Sequence, residues 1–152
     1  MDFNIIGNFL SSSAFVSLVL LVTAVIALWQ LREISRSRKV TAFLELYKFL
    51  QDENFRTARR TLIRLSGKKF KDWSEEEIYE AERACQSYDL AGIMFKHRLI
   101  DKALVVDERR DSIIKCWEAA KPMIDEYRKE RGKDFWDGFE ALYEEAKKLK
   151  SR

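Results

Sequence analysis

From Phe3 to Leu31 the chain carries no charged side chain, and within that stretch Phe9 to Trp29 is a run of 21 uncharged, mostly apolar residues. As a helix rising about 1.5 Å per residue, such a run covers the roughly 30 Å hydrocarbon core of a bilayer. The expectation is a single transmembrane anchor within residues 1–31. A cleaved signal peptide competes for the same pattern, but Met1, Asp2, Phe3 and Asn4 supply no positive n-region, and no A-x-A site follows the apolar stretch.

Arg32, Arg36, Arg38 and Lys39 follow the span against Glu33 alone, whereas the N-terminal flank carries only Asp2. The positive-inside rule then places the N-terminus outside and residues 32–152 in the cytoplasm, with Trp29 as an interfacial anchor. Nothing ionisable lies in the span, so a charged pathway through one chain is not expected. Ser13, Ser17, Ala24 and Ala27 share one helix face, where a second helix could approach closely. Passive anchoring is the favoured reading of such residues, with self-association through this face as the alternative.

Residues 32–152 leave room for one cytoplasmic domain of roughly 110 residues, enough to bury a core. With five Gly and one Pro in 152 residues, the chain lacks the turn-formers of a hairpin-rich fold. Its apolar residues instead recur at steps of three and four. One stripe is Val40, Phe43, Tyr47, Leu50; after a break at 51–54 come Phe55, Ala58, Leu62, Leu65, with Gly67 as a stop. Ser74 and Glu77 form a capping-box pattern ahead of Ile78, Ala81, Cys85, Tyr88, Gly92, Phe95, Leu99. Beyond a turn near Asp101 comes Ile113, Trp117, Ala120, Ile124, Tyr127, with Pro122 expected to kink or restart the helix and Gly132 to end it. Asp134 is the expected cap of a last helix carrying Phe135, Phe139, Leu142, Ala146, Leu149. The fold class is therefore all-α: one transmembrane helix, then an antiparallel bundle of about four or five helices.

Charge is segregated. Residues 32–71 hold twelve Lys or Arg against four Asp or Glu, a balance of +8, and residues 72–152 hold sixteen against twenty, a balance of −4. Arg56, Arg59, Arg60, Arg64, Lys68, Lys69 and Lys71 form a run with no acidic residue from 56 to 71. Together with Arg32, Arg36, Arg38 and Lys39 they are the candidate contacts for an anionic lipid surface. A solvated face and a nucleic-acid or nucleotide phosphate site are the competing readings. Glu75, Glu76, Glu77, Glu80 and Glu82 read as a helix N-terminus favoured by its dipole.

Cys85, Cys116 and the lone His97 lack zinc-ligand spacing, so the cysteines read as reduced core residues and His97 as a partly exposed helix-end residue. No nucleophile–base pair or phosphate cradle stands at specific spacing. No enzyme activity and no cofactor are expected. The leading reading is a membrane-anchored interaction module, an accessory subunit or adaptor that docks a protein partner or its own copy. The alternative is a self-assembling membrane effector whose helical domain senses an anionic ligand.

Several segments carry a family resemblance: R-S-R-K-V-T-A-F-L-E-L next to the span, F-R-T-A-R-R from Phe55 to Arg60, the Tyr88-Asp89 pair, L-I-D from Leu99 to Asp101, and Trp117 to Pro122 ahead of Ile124. Over Lys39 to about Leu149 the chain resembles the bacterial domain-of-unknown-function family 4760. That resemblance implies a helical fold next to an N-terminal hydrophobic segment, and membrane association. It brings no activity, cofactor or site residue with it.

Overall fold

The structure, a computed structural model, describes residues 13–100 and 102–149. Residues 9–12 of the expected span, the Asp2 flank and the expected turn at Asp101 lie outside the described residues. Among the described residues there are five α-helices and no strand: α1 Ser13–Gln51, α2 Glu53–Arg64, α3 Glu75–Lys96, α4 Lys102–Arg131 and α5 Asp137–Lys148. A short 3-10 turn, Phe70–Asp72, precedes α3. The chain divides into two compact units, Met1–Lys39 and Val40–Arg152. Residues 32–39, which follow the 31/32 boundary read from sequence, continue α1 with every side chain exposed.

In the first unit, α1 is long and apolar enough to cross a membrane, and none of its apolar window is buried. Ser17 Oγ donates to the Ser13 carbonyl and Thr23 Oγ1 to the Val19 carbonyl, each at 2.8 Å. Their hydroxyls are satisfied inside their own helix.

The second unit is built on its helix ends. Asp52 Oδ1 accepts the Asn54 N–H at 2.9 Å, opening α2 one residue after α1 closes. Gly67 follows α2 at φ +83°, a left-handed turn that suits glycine. The Ser74–Glu77 capping box forms in both directions, with Ser74 N–H to Glu77 Oε2 at 2.7 Å and Glu77 N–H to Ser74 Oγ at 3.2 Å.

Helix α3 packs against α2, α4 and α5. At its centre Tyr88 stacks on Phe139 with ring centroids 5.2 Å apart, and Trp117 meets Phe139 edge-on at 5.1 Å. Where α3 meets α5 the backbones touch: a Cβ on Gly92 would lie 1.8 Å from the Gly138 carbonyl oxygen. Cys85 and Cys116 are free and buried, and burial raises both thiols, Cys116 to about 12.

Four expectations change. Val40 and Tyr47 are exposed, while Leu46 and Leu50 face the core; steps of three and four fit either stripe, and tertiary packing chooses. Leu99 is exposed because α3 ends at Lys96, with Arg98 turning the chain at φ 57°. Pro122 does not restart the helix: it sits exposed within an uninterrupted α4. Asp134 does not cap α5. Its N-cap is Trp136, at φ 58° with no side-chain cap, and Asp89 of α3 reaches across to accept the Phe139 N–H at 3.1 Å.

Candidate anion-binding site

Helix α2 carries arginines at 56, 59, 60 and 64, and a helix repeats a direction every third or fourth residue. Arg56, Arg60 and Arg64 step by four and are exposed. Arg56 pairs with Glu53 at 3.1 Å. Arg60 and Arg64 make no ion pair among the described residues. Lys68 Nζ donates to both Glu77 carboxylate oxygens, at 2.9 and 2.6 Å, tying the loop to the start of α3. This bond is the main cause holding Glu77 below the usual carboxylate range. Lys69 and Lys71 are exposed without an ion pair among the described residues. In the first unit Arg32, Arg36, Arg38 and Lys39 are exposed, as are Ser13, Ser17, Ala24 and Ala27.

Arg59 does not belong to that basic surface. It lies between Phe55 and Leu62 on the inward stripe of α2 and is only 4% exposed. Its Nη2 donates to the Leu50 carbonyl at the end of α1, its Nη1 to Ser87 Oγ at 3.3 Å, and its guanidinium lies 5.4 Å from the Tyr88 ring centroid. The carbonyl end of a helix favours a cation, which explains part of what holds Arg59 there. Burial is the largest cause keeping the group below its ordinary pKa, and the positive charge of Arg109 pushes the same way.

Arg109 was not anticipated as a site residue. It stands four residues after Val105 and four before Ile113, both buried, so its position on the apolar stripe of α4 was the available signal. Its side chain is 12% exposed, and its guanidinium lies 5.9 Å from the Tyr47 ring centroid. Its Nη2 is buried with no hydrogen-bond partner. One turn along α4, Ser112 Oγ accepts the Tyr88 hydroxyl at 2.8 Å.

Other arginines close helix ends. Arg110 Nε donates to the carbonyls of Ala146 and Leu149, both at 3.0 Å, and Arg128 Nε to the Phe135 carbonyl at 3.0 Å. His97 is the exposed C-cap of α3. Of the acidic cluster, Glu77 caps, Glu80 pairs with Arg83 at 3.1 Å, and Glu82 accepts the Tyr127 hydroxyl at 2.6 Å. Among the described residues no group of three or more His, Cys, Asp or Glu is placed to hold a metal ion.

The fold and these sites define an all-helical chain with one long apolar N-terminal helix. It belongs to the family described as Domain of unknown function (DUF4760), which matches residues 17–146 and so takes in most of the apolar helix as well as the bundle. Neither a curated protein nor a solved structure matches the chain.

Proposed function

We propose that the chain is a single-pass membrane protein, with its N-terminus outside and its helical unit at the cytoplasmic face of a bacterial inner membrane. There it acts as a non-enzymatic interaction module, an accessory subunit or adaptor for a protein partner or for its own copy. The observation that carries this reading is the apolar window of α1, none of which is buried. Leaving a Leu or Val side chain in water rather than burying it costs about 1.5–3 kcal/mol, so a row of them needs lipid or a partner around it. The cations directly after the apolar segment support the orientation. The exposed Arg60, Arg64, Lys69 and Lys71 give the helical unit a surface suited to anionic headgroups.

Alkaline carbonate extraction tests the anchor: the chain stays with the membrane pellet, and the double variant Leu21→Arg, Val25→Arg moves to the supernatant. Loss of the parent chain to the supernatant contradicts the reading. Native-detergent purification tests the module: a stoichiometric protein partner or a second copy accompanies the chain. A monomer without companions contradicts it. The second reading, an effector whose helical unit senses an anionic ligand, is favoured by the buried guanidinium of Arg59 and the buried, unsatisfied Nη2 of Arg109.

A further inference from the structure

Two guanidiniums packed into the helical unit make no hydrogen bond to a carboxylate among the described residues, Arg59 at 4% and Arg109 at 12% exposed. Among the described residues Arg59 makes no ion pair at all, and its hydrogen bonds go to a carbonyl and a hydroxyl. Arg109 has a long ion pair with its chain neighbour Glu108, whose half-exposed Oε1 stands 4.0 Å from Nη2, beyond hydrogen-bond reach. The same Nη2 is buried and unsatisfied. A buried cation costs several kcal/mol in desolvation unless it is paired, and a cation beside another cation costs more. Proteins seldom leave such a donor unanswered without a use for it.

We propose that Arg59 and Arg109 together hold an oxyanion of the phosphate class, received by the free Nη2 of Arg109 between α1, α2, α3 and α4 of the second unit. Four details of the surroundings fit. Arginine presents a planar fork of donors suited to phosphate oxygens. The rings of Tyr47 and Tyr88 lie against the two guanidiniums at 5.9 and 5.4 Å. Tyr88 is in turn fixed by its hydroxyl bond to Ser112, one turn from Arg109. Leu50, whose carbonyl Arg59 grips, lies at the end of α1, so an anion that redistributes the Arg59 bonds acts on the closing turn of the helix that begins in the apolar segment. This proposal rests on the helical unit alone and is independent of the membrane anchor.

The phosphate class has two sources, a free phosphate or a lipid headgroup, and the test separates them. Thermal melting of the full chain in neutral detergent is followed during titration with inorganic phosphate at constant ionic strength, and in parallel with short-chain phosphatidic acid. The wild type shows a saturable rise in melting temperature. A response in both arms assigns a free phosphate, and one confined to the lipid arm assigns a headgroup. Arg109→Met melts no lower than wild type without added anion, because an apolar replacement removes a buried donor that has no hydrogen bond, and it does not respond to either probe. Arg60→Gln responds as wild type does. If Arg109→Met does not fold, Arg109→Lys serves instead: it keeps the charge, loses the fork, and raises the half-saturating concentration about tenfold or more. A wild-type melting temperature indifferent to both probes, a rise that persists in Arg109→Met, or an unchanged half-saturation in Arg109→Lys overturns the proposal.

Discussion

Leu20 and Leu62 are the same side chain in the same kind of helix, yet Leu20 is 65% exposed and Leu62 is fully buried. The difference is company. Leu62 stands on α2 among other helices, with a stripe of apolar neighbours at steps of three and four and a polar face opposite. Leu20 stands in a segment that is apolar on every side, so no orientation of the helix against a partner would hide all of it. A helix apolar on one side calls for a protein core; one apolar all round calls for a lipid solvent or many partners.

The sharpest way to break that contrast is to cut both leucines back. Leu62→Ala is expected to lower the stability of the helical unit by about 2–5 kcal/mol, the range for a fully buried leucine. Leu20→Ala leaves that unit's unfolding in detergent unchanged, as followed by near-ultraviolet circular dichroism with urea. Equal effects would erase the distinction between the two regions.

Next in size is the α3–α5 crossing. Gly92→Ala puts a methyl group 1.8 Å from a backbone oxygen that no side-chain rotation can move, and costs about 3 kcal/mol in the same assay. Asp89→Ala, which removes the side-chain acceptor at the N-terminal end of α5, costs about 1 kcal/mol.

The pH dependence is subtler and has two signs. Burial raises Asp89 above its ordinary value, against the backbone N–H groups of Phe139 and Gly138 that lower it. Its contribution to stability is therefore fullest below pH about 3.9 and falls as pH rises through the raised value. Glu77 is lowered, so its contribution is present above pH about 4.3 and is lost as pH falls through the lowered value. Urea titrations from pH 7 to pH 3 are expected to show Glu77→Gln flattening the acid loss of stability and Asp89→Asn steepening it. The reverse pattern would contradict these assignments.

Smallest in stability is the exposed basic face. Arg60→Gln with Arg64→Gln changes unfolding by less than about 0.5 kcal/mol. Co-sedimentation of the full chain's helical unit with anionic vesicles is nevertheless expected to weaken, most clearly at low salt. Arg59 is left out of that variant: replacing it would unseat the end of α1 and confuse binding with folding.

The helices were legible because their punctuation is local. The Ser74–Glu77 box and the glycines at 67 and 132 act within a few residues of themselves. The α5 cap was not, since Asp89 comes from another helix and sequence spacing says nothing of it. Family resemblance singles out the Tyr88-Asp89 pair, and both residues reach from α3 to α5, Tyr88 stacking on Phe139 and Asp89 accepting its N–H. For the candidate site, the exposed arginines at 56, 60 and 64 follow from a step of four. Counting charge along the chain grouped Arg59 with them, and it hid Arg109 inside a mixed-charge segment. In both cases the position on the apolar stripe marked an inward arginine, and only packing shows what it faces.

The central claim, that α1 carries the chain across a membrane with its helical unit inside, is tested most directly by thiol labelling in intact cells. Cys85 and Cys116 are fully buried, so an introduced cysteine reads out against a low background. Asn4→Cys is expected to react with a membrane-impermeant maleimide in intact cells, and Ser151→Cys only after the membrane is opened. Reaction of both positions from the same side, or of Ser151→Cys before permeabilisation, would contradict the account.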